Sequence, residues 1–292
     1  MKSLLNISDL SKKEFDNILN YAKAIDLKSD QSLRDKNIGL IFEKNSTRTR
    51  LSFQVGIKQL EGNSIDIRLD ELNLNRFESY EDTFEIMSCY LDCLIFRTTN
   101  HEKLDLALKY FKKPIINALS DKSHPCQAIS DIYTLDEHFG TANNLNITWM
   151  GDINNVLMSL IETLDFLDKT KVNIFTNEIL FKNYESKLLN NKNVNVFFDL
   201  KDDILNETDC IMTDVFNSMN DKEDKEPFLK KFQVNKEIMS KTKINTIFMH
   251  CLPAKVGSEV SKDVIKGRQS IVIQQATNRM IAQRGILKWL DI

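Results

Sequence analysis

The chain has 292 residues, 42% of them hydrophobic and 28% charged, which is enough for one large or two ordinary globular domains. Its formal net charge of -3 and its sequence pI of about 5.9 exclude a general electrostatic attraction to nucleic acid. It contains no apolar run of membrane-spanning length, no targeting pattern at the N-terminus and no CxxC pair among its five cysteines. These features predict a cytoplasmic protein with reduced thiols, with neither nucleic acid nor membrane as a partner.

The first half of the chain alternates short apolar runs with amphipathic stretches, as in a parallel sheet covered by helices. Ser11 and Glu14 form a capping-box pattern that predicts the start of the first helix. The predicted strands of this half are 38–41, 64–68, 92–97 and 114–118, and further helices are predicted to begin near Ser46, Ser79, Glu102 and Cys126.

A second alternating set follows the polar segment 140–144, which indicates a domain boundary. The lysine-rich segment 220–231 is expected to be a mobile surface loop. The predicted strands of this half are 146–150, 172–175, 194–198, 210–213, 246–249 and 270–273, followed by a final helix over 278–290.

The complete pattern predicts an α/β protein with two doubly wound domains joined by interdomain helices. Each domain should be a mainly parallel sheet covered by helices. We place the first domain at residues 1–138 and the second at 139–277. The last helix and the residues after it, 278–292, are expected to pack back on the first domain.

One stretch, Phe42–Arg50, joins a predicted buried strand to a predicted helix. The first N–H groups of a helix have no intrahelical partner, and the positive end of the helix dipole favours an anion there. The stretch adds hydroxyl groups and guanidinium groups suited to phosphate, those of Ser46, Thr47, Arg48, Thr49 and Arg50. It predicts a phosphate site, although a helix N-cap followed by solvated arginines would give a similar pattern.

Polar side chains also follow the other predicted strands, where ligands of doubly wound sheets bind. These side chains are Arg97, His124, Gln127, Asn154, Asn155, Asp214, Ser218, His250 and Cys251. Each of them alone has an ordinary structural explanation, such as a satisfied histidine in a turn or a buried cysteine. Together with the phosphate stretch they follow six predicted strands, and this recurrence favours a site for a small anionic ligand.

Four motifs give the chain a family resemblance. They read FEKNSTRTR from Phe42, HPCQ from His124, DVFNSM from Asp214 and HCLP from His250. In this order they resemble the aspartate/ornithine carbamoyltransferases over nearly the whole chain, and the last two resemble the ornithine branch. The resemblance implies transfer of a carbamoyl group from carbamoyl phosphate to the δ-amine of L-ornithine, giving L-citrulline and phosphate in arginine metabolism, without a cofactor, a metal or a covalent intermediate.

The resemblance also implies roles for single residues. Carbamoyl phosphate would be bound by Ser46, Thr47, Arg48, Thr49, Arg97, His124 and Gln127. Ornithine would be bound by Asn155, Asp214, Ser218, Met219, Cys251, Leu252 and Arg279. The catalytic residues would be Arg97, His124, Gln127 and Cys251. The family further implies a homotrimer or a multiple of it, in which the loop 72–78 reaches a neighbouring subunit.

Several alternatives stay open at this point. The chain departs from the family pattern at Ile153, Asn220, Val256 and Thr277. The acceptor could therefore be putrescine or an N-acylated ornithine, and a non-catalytic phosphate-binding relative is a further possibility. A thioester on Cys251 would need a neighbouring base such as His250 to activate the thiol. It is disfavoured because adjacent residues of a strand point to opposite faces, which leaves His250 poorly placed to do so. A dinucleotide site is disfavoured because G-x-G-x-x-G is absent.

Overall fold

The computed structural model describes residues 2–74, 77–218, 221 and 223–292. The chain forms two compact units. The first unit comprises Met1–Tyr133 and Thr277–Ile292, and the second comprises Thr134–Ala276. The chain passes from the first unit to the second within helix α5 (Pro125–Phe139) and returns within helix α13 (Val272–Leu290).

The first unit contains a parallel four-stranded sheet in the order β2-β1-β3-β4. Its strands are β1 (Asn37–Phe42), β2 (Asn63–Ile67), β3 (Cys93–Arg97) and β4 (Ile115–Leu119). Its helices, besides α5 and α13, are α1 (Lys12–Ala24), α2 (Thr47–Gln59), α3 (Tyr80–Tyr90) and α4 (Glu102–Tyr110), with 3-10 turns at Ile7–Asp9 and Leu69–Glu71. The chain reverses direction across the sheet between β1 and β3, which makes the ends of these two strands the expected ligand position.

Sequence pattern explains which strands lie inside this sheet. Strands β1, β3 and β4 are nearly continuous apolar runs and are buried along their lengths, as expected for strands covered on both faces. Strand β2 lies at the edge and is largely exposed. The predicted capping box before α1 is confirmed, since the Ser11 hydroxyl accepts from the Glu14 amide while the Glu14 carboxylate accepts from the Ser11 amide.

The second unit contains a parallel five-stranded sheet in the order β7-β6-β5-β8-β9. Its strands are β5 (Asn146–Met150), β6 (Lys171–Phe175), β7 (Val194–Phe197), β8 (Cys210–Thr213) and β9 (Ile247–His250). Its helices are α6 (Asn155–Glu162), α7 (Glu178–Phe181), α8 (Glu185–Leu189), α9 (Asp202–Asn206), α10 (Glu226–Leu229), α11 (Lys236–Ser240) and α12 (Lys262–Ile265), with 3-10 turns at Thr163–Phe166 and Lys230–Phe232. Here the direction reverses between β5 and β8. The predicted α/β fold of two doubly wound parallel sheets is confirmed.

Three local predictions are wrong. The strand expected over 270–273 is reduced to an isolated bridge between Ser270 and Phe248, and α13 begins already at Val272 rather than at residue 278. A short apolar run cannot be assigned to strand or helix by its periodicity alone. The segment 220–231 is also not simply a loop, because it contains α10 and the fully buried side chain of Leu229.

The close approach of α13 to α1 depends on Gly285. A Cβ atom at this position would lie 2.5 Å from the Ile18 carbonyl oxygen and 2.8 Å from the Ala22 Cβ. Glycine therefore lets the last helix pack directly on the first one. Among the helices of the described residues, none is long and apolar enough to cross a membrane.

Candidate functional site

The predicted phosphate stretch lies at the start of α2, directly after β1. Ser46 occupies the N-cap position, but its hydroxyl accepts a hydrogen bond from Arg97 Nη1 (3.2 Å) and does not cap the helix. The first turn of α2 therefore keeps its amide donors for another acceptor. Arg97 ends β3, so the ends of the two strands at the reversal point are joined by this bond.

The two arginines of the stretch have different surroundings. Arg50 Nε lies 2.9 Å from Asp66 Oδ1, and its guanidinium stands over the Phe42 ring. In the described part of the chain, neither Arg48 Nε nor Arg50 Nε makes a hydrogen bond, so the two arginines differ in the Asp66 carboxylate that offsets the charge of Arg50. Arg48 is thus the better placed of the two to bind an added anion.

The last helix contributes a further cation to this position. Arg279 Nη1 donates to the buried Thr49 hydroxyl oxygen (3.1 Å). Arg279 was expected in the ornithine pocket, yet the structure places it beside Thr49 in the first unit. We use the name phosphate-loop cluster for the group Ser46, Thr47, Arg48, Thr49, Arg97, His124, Gln127 and Arg279.

His124 directly precedes α5 and Gln127 lies in its first turn, and both are buried. Gln127 Nε2 donates to Asp131 Oδ1 (2.7 Å), which leaves its carbonyl oxygen, buried and without a partner among the described residues, to accept a hydrogen bond. Burial lowers the pKa of His124 well below 6.5, and the nearby positive charges of Arg279 and Arg97 lower it further. The imidazole is therefore neutral near pH 7.

We expect the His124 imidazole to stay neutral across the neutral pH range. Imidazole proton resonances followed by NMR from pH 5.5 to 8, with His124→Gln to assign the signal, should show no titration of His124 near its ordinary pKa. A His124 midpoint at 6.5 or above would contradict the electrostatic argument.

The same shift has a consequence for stability. The unfolded chain takes up the His124 proton near pH 6.5, whereas the folded protein does so only at lower pH. His124 therefore does not reduce the free energy of unfolding above this pH. As the pH falls below it, the unfolded chain binds the proton first and the free energy of unfolding decreases. Thermal unfolding should show a decline in Tm below pH 6.5 that is smaller in His124→Gln than in the wild type.

A second polar group lies at the reversal point of the second sheet. Asp214 follows β8, and its carboxylate accepts from Asn154 Nδ2 (2.9 Å), from the Val215 amide (2.9 Å) and from Cys251 Sγ (3.1 Å). Asn154 follows β5 and also caps α6 through its carbonyl oxygen. Asn155, which was predicted to bind ligand, is the first residue of α6.

The remaining described residues that were predicted to bind the acceptor lie on two loops of the same unit. The Ser218 amide donates to Asp221 Oδ2 (2.6 Å), while Met219 lies outside the described residues. Leu252 follows Cys251 with a φ of 57° and precedes a cis peptide bond to Pro253. We use the name acceptor cluster for the group Asn154, Asn155, Asp214, Ser218, Cys251 and Leu252.

His250 holds the loop that carries Cys251. Its Nδ1 accepts from the Leu252 amide (2.8 Å), so the proton lies on Nε2, which donates to the buried Glu259 carboxylate (3.1 Å). The His250 amide donates to Gln275 Oε1 (2.8 Å). His250 thus positions the loop, and the sequence pattern gave no sign of Glu259 or Gln275.

A metal ion is a poor fit at this position. One ligand atom each of Asp214, His250 and Cys251 lies within 4.8 Å of the others, which is a spacing that could hold a cation. Both ring nitrogens of His250, however, already have partners in the Leu252 amide and Glu259. Without a free lone pair on His250, the donor set is incomplete.

The chain matches two family models. They are described as "Aspartate/ornithine carbamoyltransferase, carbamoyl-P binding domain" over residues 2–137 and "Aspartate/ornithine carbamoyltransferase, Asp/Orn binding domain" over residues 143–290. The chain belongs to the aspartate/ornithine carbamoyltransferase family.

Individual members of the carbamoyltransferase family are similar to this chain over nearly their full lengths. The ornithine carbamoyltransferase of Rhodopseudomonas palustris is 38% identical over 302 residues, which cover 99% of this chain and 96% of that protein. That of Methanosphaera stadtmanae is 38% identical over 308 residues, covering 98% of each. The solved structure of ornithine carbamoyltransferase from Pyrococcus furiosus is 34% identical with a TM-score of 0.87, covering 98% of this chain and 96% of that one.

The departures from the carbamoyltransferase pattern fall in different environments. The Ile153 side chain is buried beside Asn154, whereas Val256 and Thr277 are exposed. Asn220 lies outside the described residues. A buried Ile153 leaves the hydrogen bond between Asn154 and Asp214 in place.

A charged network that the sequence did not reveal supports the Ser218 loop. Lys225 Nζ lies 2.9 Å from Asp152 Oδ2 and 3.0 Å from Asp221 Oδ1. The second oxygen of Asp221 accepts from the Ser218 amide. Burial raises the pKa of Asp152, although its ion pair with Lys225 opposes the shift. Lys225 therefore ties the Ser218 loop to the end of β5.

Proposed function

We propose that this chain transfers a carbamoyl group from carbamoyl phosphate to the δ-amine of L-ornithine, producing L-citrulline and phosphate. The observation that carries the proposal is the phosphate-loop cluster, which collects Arg48, Arg97 and Arg279 around the amide donors at the start of α2. Such a group is suited to a small, doubly charged anion. The family membership and the full-length similarity to ornithine carbamoyltransferases support the same reaction.

The phosphate group of the donor would bind at the start of α2. Its oxygens would accept from the first-turn amides and from the hydroxyls and guanidinium of Ser46, Thr47, Arg48 and Thr49. Arg48 has a buried Nε without a partner in the described residues, so the ligand would satisfy a donor that is otherwise unpaired.

The carbamoyl group would be oriented by donors on one side and an acceptor on the other. Its carbonyl oxygen would accept from Arg97 and from the neutral His124, and its NH₂ group would donate to the buried carbonyl oxygen of Gln127. Gln127 would offer its oxygen and not its nitrogen, because the amide nitrogen already donates to Asp131. Arg279, hydrogen-bonded to Thr49, would serve carbamoyl phosphate rather than ornithine.

Ornithine would bind at the acceptor cluster. Asp214 would pair with the α-ammonium group, and Asn155, Ser218 and the backbone at Met219 would bind the carboxylate. The δ-amine would lie against the Cys251 thiol and the Leu252 carbonyl oxygen, whose loop is held by His250.

In the proposed reaction the neutral δ-amine attacks the carbamoyl carbon, the C–O bond to phosphate breaks, and the leaving phosphate takes up the proton that the nitrogen loses. Negative charge develops first on the carbonyl oxygen and then on the leaving phosphate. Arg97 and His124 would stabilise the first charge and Arg48 the second, an effect worth about 3–4 kcal/mol for each well-placed donor. Cys251 contacts substrate and forms no thioester, because His250 is committed to Leu252 and Glu259.

We further propose that the protein acts in arginine biosynthesis in the cytoplasm, as a homotrimer or a multiple of it. An exposed apolar face of the first unit supports self-association. It consists of Leu51 and Val55, which lie one turn apart on α2 and are 54% and 43% exposed. The loop 72–78, proposed to reach a neighbouring subunit, includes residues 75 and 76, which lie outside the described ranges.

The acceptor preference tests this function. An acceptor cluster with Asp214 and Asn155 should favour a zwitterionic head group, and leaving a buried partner unpaired costs about 1–3 kcal/mol. Ureido formation at equal concentrations should therefore be fastest with ornithine, compared with putrescine, N-acetylornithine and aspartate. The rate should rise above neutral pH, because an amine with a pKa of about 10.4 must lose a proton to attack.

Two results of this assay would change the conclusion. A higher kcat/KM with putrescine, N-acetylornithine or aspartate would replace ornithine as the acceptor and leave carbamoyl transfer intact. Saturable binding of carbamoyl phosphate without release of phosphate with any of the four amines would instead indicate a non-catalytic relative.

A further inference from the structure

Glu43 belongs to the phosphate stretch, yet the proposed chemistry gives it no role. It follows β1 directly, and its amide donates to the carbonyl oxygen of Arg97 at the end of β3 (3.0 Å). Its side chain is 8% exposed. A buried carboxylate at the edge of an anion site is unfavourable for anion binding unless its own charge is neutralised.

The Glu43 carboxylate is fully engaged by the segment that follows β3. Oε2 accepts from the Thr98 hydroxyl (2.8 Å), the Thr99 amide (2.9 Å) and the Thr99 hydroxyl (3.3 Å). Oε1 accepts from Lys103 Nζ (2.5 Å). Burial alone would raise the pKa of Glu43, but the hydrogen bonds from Lys103, Thr99 and Thr98 hold it below its ordinary value. The residue is therefore a charged, satisfied group that does not need a ligand.

These bonds connect the same two strand ends that form the phosphate-loop cluster. Glu43 lies three positions before Ser46, and Thr98 is the residue after Arg97. The Arg97–Ser46 bond and the Glu43 bonds thus cross between the ends of β1 and β3 side by side. The β1–β3 pairing and the Glu43 amide hold the Arg97 backbone in any case, so the Glu43 carboxylate fixes the residues that follow Arg97. Without its bonds, the segment 98–103 could shift and the Arg97 side chain would lose a fixed neighbour.

We propose that Glu43 is a positioning residue for carbamoyl phosphate: it ties the segment 98–103 to the end of β1 and thereby keeps the Arg97 guanidinium directed at the Ser46 loop. The inference rests on the proposed function. It predicts that Glu43 acts only through Arg97. A substitution of Glu43 should therefore matter when Arg97 is present and should not matter when Arg97 is absent.

A double-mutant cycle tests this coupling. Glu43→Gln keeps the shape of the side chain and removes its charge, and it should lower kcat/KM for carbamoyl phosphate about tenfold. In an Arg97→Ala background the same change should alter kcat/KM by less than about twofold. Glu61→Gln removes the charge of an exposed glutamate that pairs with Arg34 in the same unit, and it should have no effect in either background.

Two additional measurements separate positioning from stability and from function. Lys103→Met removes one donor and leaves the Thr98 and Thr99 bonds, so it should give a smaller loss of the same kind in a folded protein. Calorimetric titration with inorganic phosphate reports on the loop even if carbamoyl transfer is not the reaction, and Glu43→Gln should weaken phosphate binding only when Arg97 is present. Absence of turnover in the wild type would refute the proposed function. Wild-type parameters in Glu43→Gln, or an equal loss with and without Arg97, would refute the positioning role.

Discussion

Arg97→Ala should lower kcat/KM for carbamoyl phosphate by about 10²–10³. Arg97 donates to the Ser46 hydroxyl, and its charge contributes to the lowered pKa of the neighbouring His124. Its guanidinium can therefore reach both the phosphate loop and a carbonyl oxygen beside His124. Because the negative charge on that oxygen grows in the transition state, kcat should fall together with the affinity for carbamoyl phosphate. Steady-state kinetics with each substrate varied in turn would measure both effects.

Arg68→Ala is the matched control for this experiment. Arg68 is an exposed arginine of the same unit that pairs with Asp70, so its loss should leave kcat and KM unchanged. Arg97→Lys should recover part of the activity, because lysine keeps the charge but not the forked geometry. A wild-type kcat/KM in Arg97→Ala would remove Arg97 from the chemistry and weaken the assignment of the phosphate-loop cluster.

The strand-to-helix junction that carries the proposed phosphate site could be predicted because its sequence signals are local. A buried strand, a helix start and a run of hydroxyl and guanidinium groups are consecutive in the chain, and the structure keeps them consecutive at the junction of β1 and α2. Parallel sheets also place successive strand ends at one edge, which brings Arg97 to Ser46 without any sequence signal beyond its position.

Contacts between distant parts of the chain could not be predicted in the same way. Arg279 and Thr49 are 230 positions apart, and their bond depends on how the last helix packs within the first unit. Glu259 and Lys225 lie in polar stretches whose sequence is typical of a protein surface. Only the fold pairs Glu259 with His250 and Lys225 with Asp152. The start of α13 was missed because a short apolar run fits a strand and a helix equally well.

The second large effect is expected at Asp214. Its carboxylate accepts from Asn154 Nδ2 and Cys251 Sγ, and it directly follows β8, where the second sheet reverses direction. Asp214→Asn keeps the size of the side chain but removes the charge proposed to pair with the α-ammonium group of ornithine. Losing one partner of a buried charge pair costs about 2–5 kcal/mol, so kcat/KM for ornithine should fall by at least about 30-fold.

Carbamoyl phosphate binding should survive this change, because its proposed ligands all belong to the first unit whereas Asp214 belongs to the second. Calorimetric titration with the analogue phosphonoacetamide should give the same Kd for Asp214→Asn as for the wild type. Asp199→Asn, which removes an 85% exposed carboxylate from the second unit, should change neither ligand. Equal losses for ornithine and for the analogue in Asp214→Asn would show that the two units do not divide the substrates, since a charge that serves only the acceptor cannot alter the phosphate loop.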